Sequence, residues 1–184
     1  MSQPENAAAS APKSAEVITR PPLPTDRVEM AALQARVFGP GRFARSAYRV
    51  RERTPFASRY CRIAVANGRI IATLRLTPAT VGNRPGAMLL GPLAVDPDWA
   101  NLGHGRRLIA EGLEAAGRGG IRIVYLIGDM AYYGRLGFQV LPAGRVTLPG
   151  PADPARFLYR ELVPGSVDDY EGLLDADLAP THWA

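Results

Sequence analysis

The order of hydrophobic and polar positions predicts a chain that alternates strands with helices. Two alternating runs over 60–79 meet at Asn67-Gly68, a dipeptide typical of two-residue hairpin turns. The run 87–95 is almost continuously apolar and indicates a buried strand, and 121–128 is a β-branched run typical of parallel strands. An apolar-periodic helix over 103–117 lies between them, so these three segments predict one right-handed βαβ unit.

The remaining segments complete a mixed sheet. They predict a short first strand at 17–19, a helix from Thr25 or Asp26 to about Gly39, a basic helix at 42–53, a helical turn at 130–137, a strand from Phe138 and a last strand at 156–162. We therefore expect the α/β class, with an α+β mixed sheet that is mainly antiparallel around the parallel unit.

The two ends of the chain differ in composition from the middle. Residues 1–15 are rich in Ala, Pro and Ser and are predicted to form a disordered tail, and 16–164 form the folded domain. Residues 165–184 are acidic. We expect them to be a solvated tail, the alternative being a helix that docks on the arginine-rich body.

Composition narrows the class of protein. Of the 184 residues 47% are hydrophobic and 21% are charged, which is ordinary for a soluble globular domain. The longest apolar run, 87–95, is too short to cross a bilayer, and 1–15 lacks the apolar core of a secretion signal. Cys61 is the only cysteine, so a disulfide framework is excluded and a cysteine metal site is not expected. These features predict a cytoplasmic protein with neither a membrane partner nor a metal.

The charge balance points to an anionic partner. The net charge is +5, and every basic residue except Lys13 and the two histidines is an arginine. Nucleic acid and a phosphate-bearing cofactor both fit such a balance, and because no aromatic residues interleave with the arginines in a nucleic-acid pattern, composition alone does not decide between them, although nucleic acid is the less expected partner. The basic helix is predicted to turn a solvated face outwards; its arginines are Arg42, Arg45, Arg49, Arg51 and Arg53.

An anion site is indicated where the helix at 103–117 begins. Arg106 and Arg107 occupy its first turn, where the positive end of the helix dipole disfavours them. The free N–H groups of a helix start, together with Gly103 and Gly105, would let an anion approach the backbone. A pyrophosphate fits best, because several N–H groups and an arginine bind it together. An ordinary loop–helix junction with both arginines in water is the alternative.

The preceding strand adds a second clue. Proline cannot donate to a ladder, so Gly91-Pro92 within a buried strand predicts a bulge or an opened pairing. Such an opening frees backbone groups at Leu93 and Val95, with which an extended amide-bearing ligand such as the pantetheine arm of coenzyme A pairs. A dinucleotide fingerprint would need glycine where Leu108 stands, and the Gly-Lys-Ser/Thr of a P-loop is absent.

The segment 90–109 resembles motif A of the GNAT N-acetyltransferase superfamily, in which Gln/Arg-x-x-Gly-x-Gly/Ala follows a bulged strand. Residues 133–138 resemble the family's Tyr-x-x-x-Gly-Phe motif, and 127–138 are similar to a bacterial subgroup labelled YhbS-like. The resemblance covers about 16–162 and implies the GNAT acyl-CoA N-acyltransferase fold, with a bulged central strand and a βαβ unit. Ala100 departs from the first motif position, but we expect a largely backbone cradle to keep its cofactor.

The resemblance implies transfer of an acetyl group from acetyl-CoA to a primary amine by direct attack. It assigns Tyr133 as general acid, and the backbone N–H of Leu93 is the candidate donor to the thioester oxygen. The glutamate of the histone-acetylating branch aligns with Leu89, so the base is unassigned; Asp129 is the nearest candidate, although a helix-capping role is favoured. The expected acetyl-CoA contacts are Leu93, Ala94, Val95, Ala100, Asn101, Leu102, Gly103, His104, Gly105, Arg106 and Tyr133.

Two alternatives stay open. A non-catalytic acyl-CoA sensor or pseudoenzyme of the same fold is consistent with Ala100 and with the missing glutamate, and a nucleic-acid-binding protein is the third interpretation. The sequence names neither the amine acceptor nor the oligomeric state, and a homodimer is not ruled out. Early helices often border the acceptor site in this fold, where the basic helix would select an acidic substrate.

Overall fold

The computed structural model describes residues 15–39 and 46–183. Its strands are β1 (Val17–Arg20), β2 (Arg62–Ala66), β3 (Arg69–Val81), β4 (Arg84–Val95), β5 (Ile123–Ile127), β6 (Gln139–Val140), β7 (Val146–Thr147), β8 (Phe157–Glu161) and β9 (Gly172–Ala176). Its α-helices are α1 (Arg27–Phe38), α2 (Ser46–Arg51), α3 (His104–Arg118) and α4 (Met130–Tyr133). The predicted disordered tail lies outside the described residues except for Ala15, which packs against the core.

The strands form one mixed sheet in the order β1-β2-β3-β4-β5-β8-β6, with β9 pairing β3 and β7. β4 and β5 run parallel and are joined through α3, which is the predicted βαβ unit. The other neighbours along the main path are antiparallel. The mixed α/β class is confirmed.

Two tight turns set the register of the central strands. Asn67 and Gly68 both adopt positive φ angles, 50° and 73°, as the predicted two-residue hairpin turn requires. Gly82 and Asn83 do the same between β3 and β4, with φ angles of 54° and 67°. The second turn lengthens both strands beyond the predicted limits at 79 and 87, because the chain reverses directly instead of forming a loop.

The sheet is buried on both faces. On one face α3 packs through Leu108, Ile109 and Leu113, in one cluster with Val124 and Leu126 of β5. The alternate β5 residues, Ile123 and Tyr125, belong to a second cluster on the opposite face, which includes Val50 of α2. This period of two explains why β5 is a continuous apolar run, since both sets of side chains must be apolar.

The solvated tail predicted for 165–184 is wrong for the described residues 165–183. β9 pairs with β3 at Ala79–Val81, and Leu174 has no exposed surface. Tyr170 is also fully buried, and its hydroxyl donates to the Pro85 carbonyl oxygen at 2.8 Å. Asp169 stays at the surface, where it pairs with Arg122 at 2.7 Å, whereas Asp177 is buried and lies 3.3 Å from His182. The segment therefore docks, but as a strand and not as the alternative helix.

The basic helix ends two residues earlier than predicted, at Arg51, and its face is only partly solvated. The described part of this helix is α2. Arg42 and Arg45 belong to the segment 40–45, which lies outside the described residues. Arg53 follows the helix, is exposed, and pairs with Asp175 at 2.9 Å. Arg51 is only 8% exposed, because it shares the inward face of α2 with Ala47 and Val50.

The two neighbouring leucines of β9 test whether this strand is part of the folded domain. Leu174 is fully buried and Leu173 is 48% exposed. We expect Leu174→Ala to lower the free energy of unfolding by about 2–5 kcal/mol, because it leaves a cavity in the core. Leu173→Ala should change it by less than about 0.5 kcal/mol. Urea unfolding curves measure both, and equal, small effects would show that the strand is loosely attached.

Candidate functional site

The centre of the site is a bulge in β4. Leu93 pairs with Leu74 and Leu90 pairs with Leu76, so three steps along β4 face two steps along β3. Gly91 lies within the bulge with a φ of 113°, a conformation that favours glycine. Pro92 follows and has no N–H to donate. The predicted bulge is therefore present, and it lies at the dipeptide that indicated it.

β4 and β5 separate beyond this point. Their pairing covers only Ala87–Leu89 against Ile123–Tyr125. The N–H of Asp96, just after β4, donates to the Ile71 oxygen of β3 at 2.8 Å. Because successive strand residues point their N–H groups to opposite sides, those of Leu93 and Val95 point away from β3, into the opening. Ala94 differs, since its side chain is fully buried and its N–H faces β3.

α3 begins beside this opening. Gly103 caps the helix with a φ of 87°, a left-handed conformation that suits glycine. The first helical bond runs from the Arg107 N–H to the Gly103 oxygen at 3.0 Å. The N–H groups of His104, Gly105 and Arg106 precede it and have no carbonyl partner within the helix. The predicted amide-lined helix start is therefore available to an anion.

The two arginines of the first turn have different environments. Arg107 donates to Glu111 at 3.0 Å and to the Val17 oxygen at 3.2 Å, so it is held along the side of the helix. Arg106 has no ion pair within the described residues, and its Nη2 lies 3.5 Å from the position of a Cβ on Gly103. Only the Arg106 guanidinium therefore lies over the helix start. The charge of Arg107 is offset by Glu111, so in the described part of the chain only Arg106 adds an unpaired positive charge there.

The loop before α3 is exposed. Asn101 adopts a positive φ of 62°, and Leu102 is 59% exposed. The N–H of Ala100 donates to the Pro97 oxygen at 3.1 Å, so it is already used within the loop. The His104 ring is tilted against Trp99 at 5.8 Å, and burial, with the nearby Arg107, lowers the pKa of His104.

Tyr133 lies at the end of α4. Its ring contacts Tyr132 and Phe138 edge-on, with centroids 4.9 and 5.7 Å apart. Burial, followed by the neighbouring Tyr132, raises the pKa of Tyr133 to about 12. A tyrosine phenol keeps its proton at neutral pH in any case, as a general acid must, and burial extends this to higher pH. Tyr132 was not singled out in the sequence, yet its hydroxyl lies 3.1 Å from the position of a Cβ on Gly105.

Asp129 has a structural partner. Its carboxylate accepts the Ala131 N–H at 2.9 Å and so caps α4, and the residue is exposed. Leu89, at the position of the family's glutamate, is fully buried in the core. Neither observation supports Asp129 or Leu89 as the general base.

A cavity of about 950 Å³ lies against the bulge, Asp129 and Tyr133. Its wall includes the bulge residues from Leu90 to Leu93, the end of β5, Asp129 and Tyr133, and it is completed by α1 and α2. The predicted catalytic residues thus border one space. Arg51 and Arg75 also line it. Sequence analysis placed Arg51 on a solvated face and did not single out Arg75, although Arg51 follows Ala47 by four residues and so shares its helix face.

Two features are absent from the described residues. In 15–39 and 46–183, no three His, Cys, Asp or Glu side chains are grouped as metal ligands would be. Within the same ranges no helix has the length and apolarity that crossing a membrane would need.

The chain matches the acetyltransferase (GNAT) family over residues 28–138. It is 28% identical to the uncharacterised N-acetyltransferase YhbS of Escherichia coli K12 over 109 residues, which cover 59% of this chain and 65% of that protein. It is 34% identical to YjhQ of the same organism over 92 residues, 48% of this chain and 50% of YjhQ. The chain therefore matches less than two thirds of the length of these curated relatives.

Solved structures show the same fold. The structure of E. coli YhbS in complex with CoA has a TM-score of 0.76 at 24% identity, covering 91% of this chain and 93% of that one. A GNAT family acetyltransferase from Brucella melitensis in complex with acetyl-CoA has a TM-score of 0.65 at 23% identity, covering 90% and 97%. With the family match spanning more than half of its length, this chain belongs to the GNAT acetyltransferase family.

Proposed function

We propose that this protein transfers an acetyl group from acetyl-CoA to a primary amine. The observation that carries the proposal is the continuity of the open β4 edge with the free N-terminus of α3. An amide-bearing ligand can add to the edge like a strand, and its diphosphate then meets unpaired N–H groups and a cation. The related structures with CoA or acetyl-CoA bound support this choice of donor.

The residues present fit such a ligand. The N–H groups of Leu93 and Val95 face the gap that β5 leaves, and those of His104, Gly105 and Arg106 end at the helix start. The Arg106 guanidinium would add a charge-assisted contact to the diphosphate. Ala100 to Leu102 border this end as an exposed loop. Ala94 is not among the proposed contacts with acetyl-CoA, because its backbone groups face β3.

The chemistry needs a polarised carbonyl and a protonated leaving group. Acetyl-CoA supplies the thioester. The Leu93 N–H, which already points into the opening, would donate to the carbonyl oxygen as charge develops there. Tyr133 would donate its phenolic proton to the departing sulfur, while the amine loses its own proton. The wall of the cavity would hold the amine against the thioester, and this positioning alone supplies a large part of the rate.

Proton removal from the amine is proposed to occur without a dedicated carboxylate. Leu89 carries none, and Asp129 is occupied with the Ala131 N–H. A water path to the solvent through the open cavity is sufficient when a fraction of the amine is already neutral. A non-catalytic acyl-CoA sensor would share the donor site but would show no turnover.

Arginines at the two ends of α3 test the diphosphate site. We expect Arg106→Ala to weaken CoA binding about tenfold, because a charge-assisted contact at the helix start is lost. Arg118→Ala should leave affinity unchanged, since Arg118 pairs with Glu114 at the opposite end. Isothermal titration calorimetry with CoA measures both. Equal affinities for the wild type and the two variants would place the diphosphate elsewhere.

The role of Tyr133 is tested by removing its hydroxyl alone. We expect Tyr133→Phe to lower kcat about 100-fold, within the range that a general acid contributes, while the Kd for CoA changes less than about twofold. Thiol release measures turnover. Tyr159→Phe, which removes a hydroxyl outside the cavity, should leave kcat unchanged.

The pH profile gives a second readout for Tyr133. Since its pKa is about 12, the wild type should gain rate as the amine loses its proton and should show no fall up to about pH 10. A Tyr133→Phe variant with wild-type turnover would remove the residue from the mechanism. A wild type without turnover on any amine, yet with tight CoA binding, would indicate the sensor.

Asp129→Asn separates capping from catalysis. Asparagine caps a helix about as well as aspartate, so α4 should persist while the carboxylate is lost. We expect kcat to change less than about threefold and the thermal midpoint to stay the same. A fall of about 100-fold in kcat, with an unchanged midpoint, would instead identify Asp129 as the base.

A further inference from the structure

The cavity contains a buried cation without a counter-ion. Arg51 is 8% exposed and lines the cavity, yet its guanidinium has no hydrogen bond or ion pair within the described residues. Its Nε has no exposed surface and no partner. Burying a guanidinium without partners is costly, and natural interiors pair such groups. Nothing else in the described fold compensates for this one.

A second arginine lies beside it. Arg75, on β3, lines the same cavity and is held by two bonds, from its Nη2 to Thr54 Oγ1 at 2.7 Å and to the Pro55 oxygen at 3.0 Å. These are neutral acceptors, so its charge is not cancelled. Burial, and then repulsion by Arg75, lowers the pKa of Arg51 to about 9. Two like charges that line one partly closed cavity repel each other until an anion joins them.

The carboxylates of the cavity wall do not neutralise this pair. Glu52, Asp129 and Asp153 line the cavity but are exposed residues, and none forms an ion pair within the described residues. Asp129 and Asp153 each accept a backbone N–H at a helix start, from Ala131 and Ala155. The interior of the cavity is therefore positive and its rim is mixed.

Arg51 lies next to the reacting end of the site. A Cβ placed on Gly91 would lie 3.6 Å from Arg51 Nη2 and 4.0 Å from the Leu93 nitrogen. The buried guanidinium and the proposed donor to the thioester oxygen thus flank the same point. An anion held by Arg51 would be a close neighbour of the group that the amine attacks.

We propose that Arg51, assisted by Arg75, binds the carboxylate of the acceptor, and that the acceptor is a small amino acid whose amine lies one or two carbons from that carboxylate. The proposal rests on the acetyl-transfer function above. A planar guanidinium binds a carboxylate through two parallel N–H donors, which fixes direction as well as position. Lysine side chains of proteins fit poorly, because their ε-amines have no carboxylate at a fixed spacing of one or two carbons.

The same pair of charges would help the amine to react. A nearby cation disfavours the protonated amine and lowers its pKa. The carboxylate of the bound acceptor neutralises the charge of one guanidinium, and the charge of the other still acts on the amine. Arg51 and Arg75 are thus a carboxylate site that also favours the neutral, nucleophilic form of the amine, which fits a site without an assigned base.

The decisive experiment compares free amino acids with their primary amides. The twenty amino acids and the corresponding amides are assayed with acetyl-CoA by thiol release. For the best acceptor we expect kcat/KM of the acid to exceed that of its amide at least tenfold. The comparison is stringent, because the amide has the more readily deprotonated amine.

Arg51→Met then removes the guanidinium and keeps an apolar side chain. We expect kcat/KM for the acid to fall about 100-fold, and that for the amide to fall much less, because the amide loses only the effect of the Arg51 charge on the pKa of its amine. Arg51→Lys, which keeps the charge but not the two parallel donors, should recover part of the loss. Arg53→Met, near the same helix end but exposed and paired with Asp175, is the matched control and should match the wild type.

Stability separates binding from a structural role. Replacing a buried unpaired charge with an apolar side chain should leave the thermal midpoint of Arg51→Met equal or higher. The proposed carboxylate site would be overturned if the wild-type protein acetylated amino-acid amides or other amines as well as free amino acids. It would also be overturned if the Arg51→Met variant lost stability or acted equally on both substrates. Neither result would contradict the proposed acetyl transfer. Failure of the wild type to bind CoA or turn over any amine would instead overturn the proposed function.

Discussion

The rest of the structure depends on one interruption of the sheet, the bulge at Gly91-Pro92. Without it, β4 and β5 would remain paired and their backbone groups would satisfy each other. With it, the two strands separate after Leu89, and the N–H groups of Leu93 and Val95 face an opening. A gap in a buried sheet is unfavourable unless another molecule completes its hydrogen bonds. This unfavourable gap lies beside the start of α3, whose first N–H groups also have no partner within the helix.

The two incomplete features share a cause in the sequence. Gly91 and Gly103 allow left-handed conformations, one within the strand and one at the cap of α3. Between them the short turn at 96–99 brings the helix start next to the strand that has separated from its neighbour. Tyr133 lies on α4, where its ring packs against Tyr132 and Phe138 and burial raises the pKa of its phenol to about 12. The proposed donor site, the proposed general acid and the cavity therefore follow from local geometry around one sheet edge.

Local sequence signals predicted the central unit of β4, α3 and β5, but not the segments that pack around it. Asn67-Gly68, Gly91-Pro92 and the glycines before α3 are local devices, so the hairpin, the bulge and the helix start were predictable. The docking of 165–183 was not, because Tyr170 and Leu174 are two apolar residues in an acidic context, and their partners on β3 and β4 are distant in the chain. Arg51 looked like any other arginine of a basic helix. Only the packing of α2 shows that it points inwards, with no counter-ion among the described residues.

Backbone amide chemical shifts during a titration with CoA test the central claim most directly. The account predicts saturable shifts concentrated at Leu93, Val95 and the first turn of α3, from His104 to Arg106, with β9 unaffected. A folded protein whose shifts do not respond to CoA, or respond only away from the open edge of β4, would contradict it.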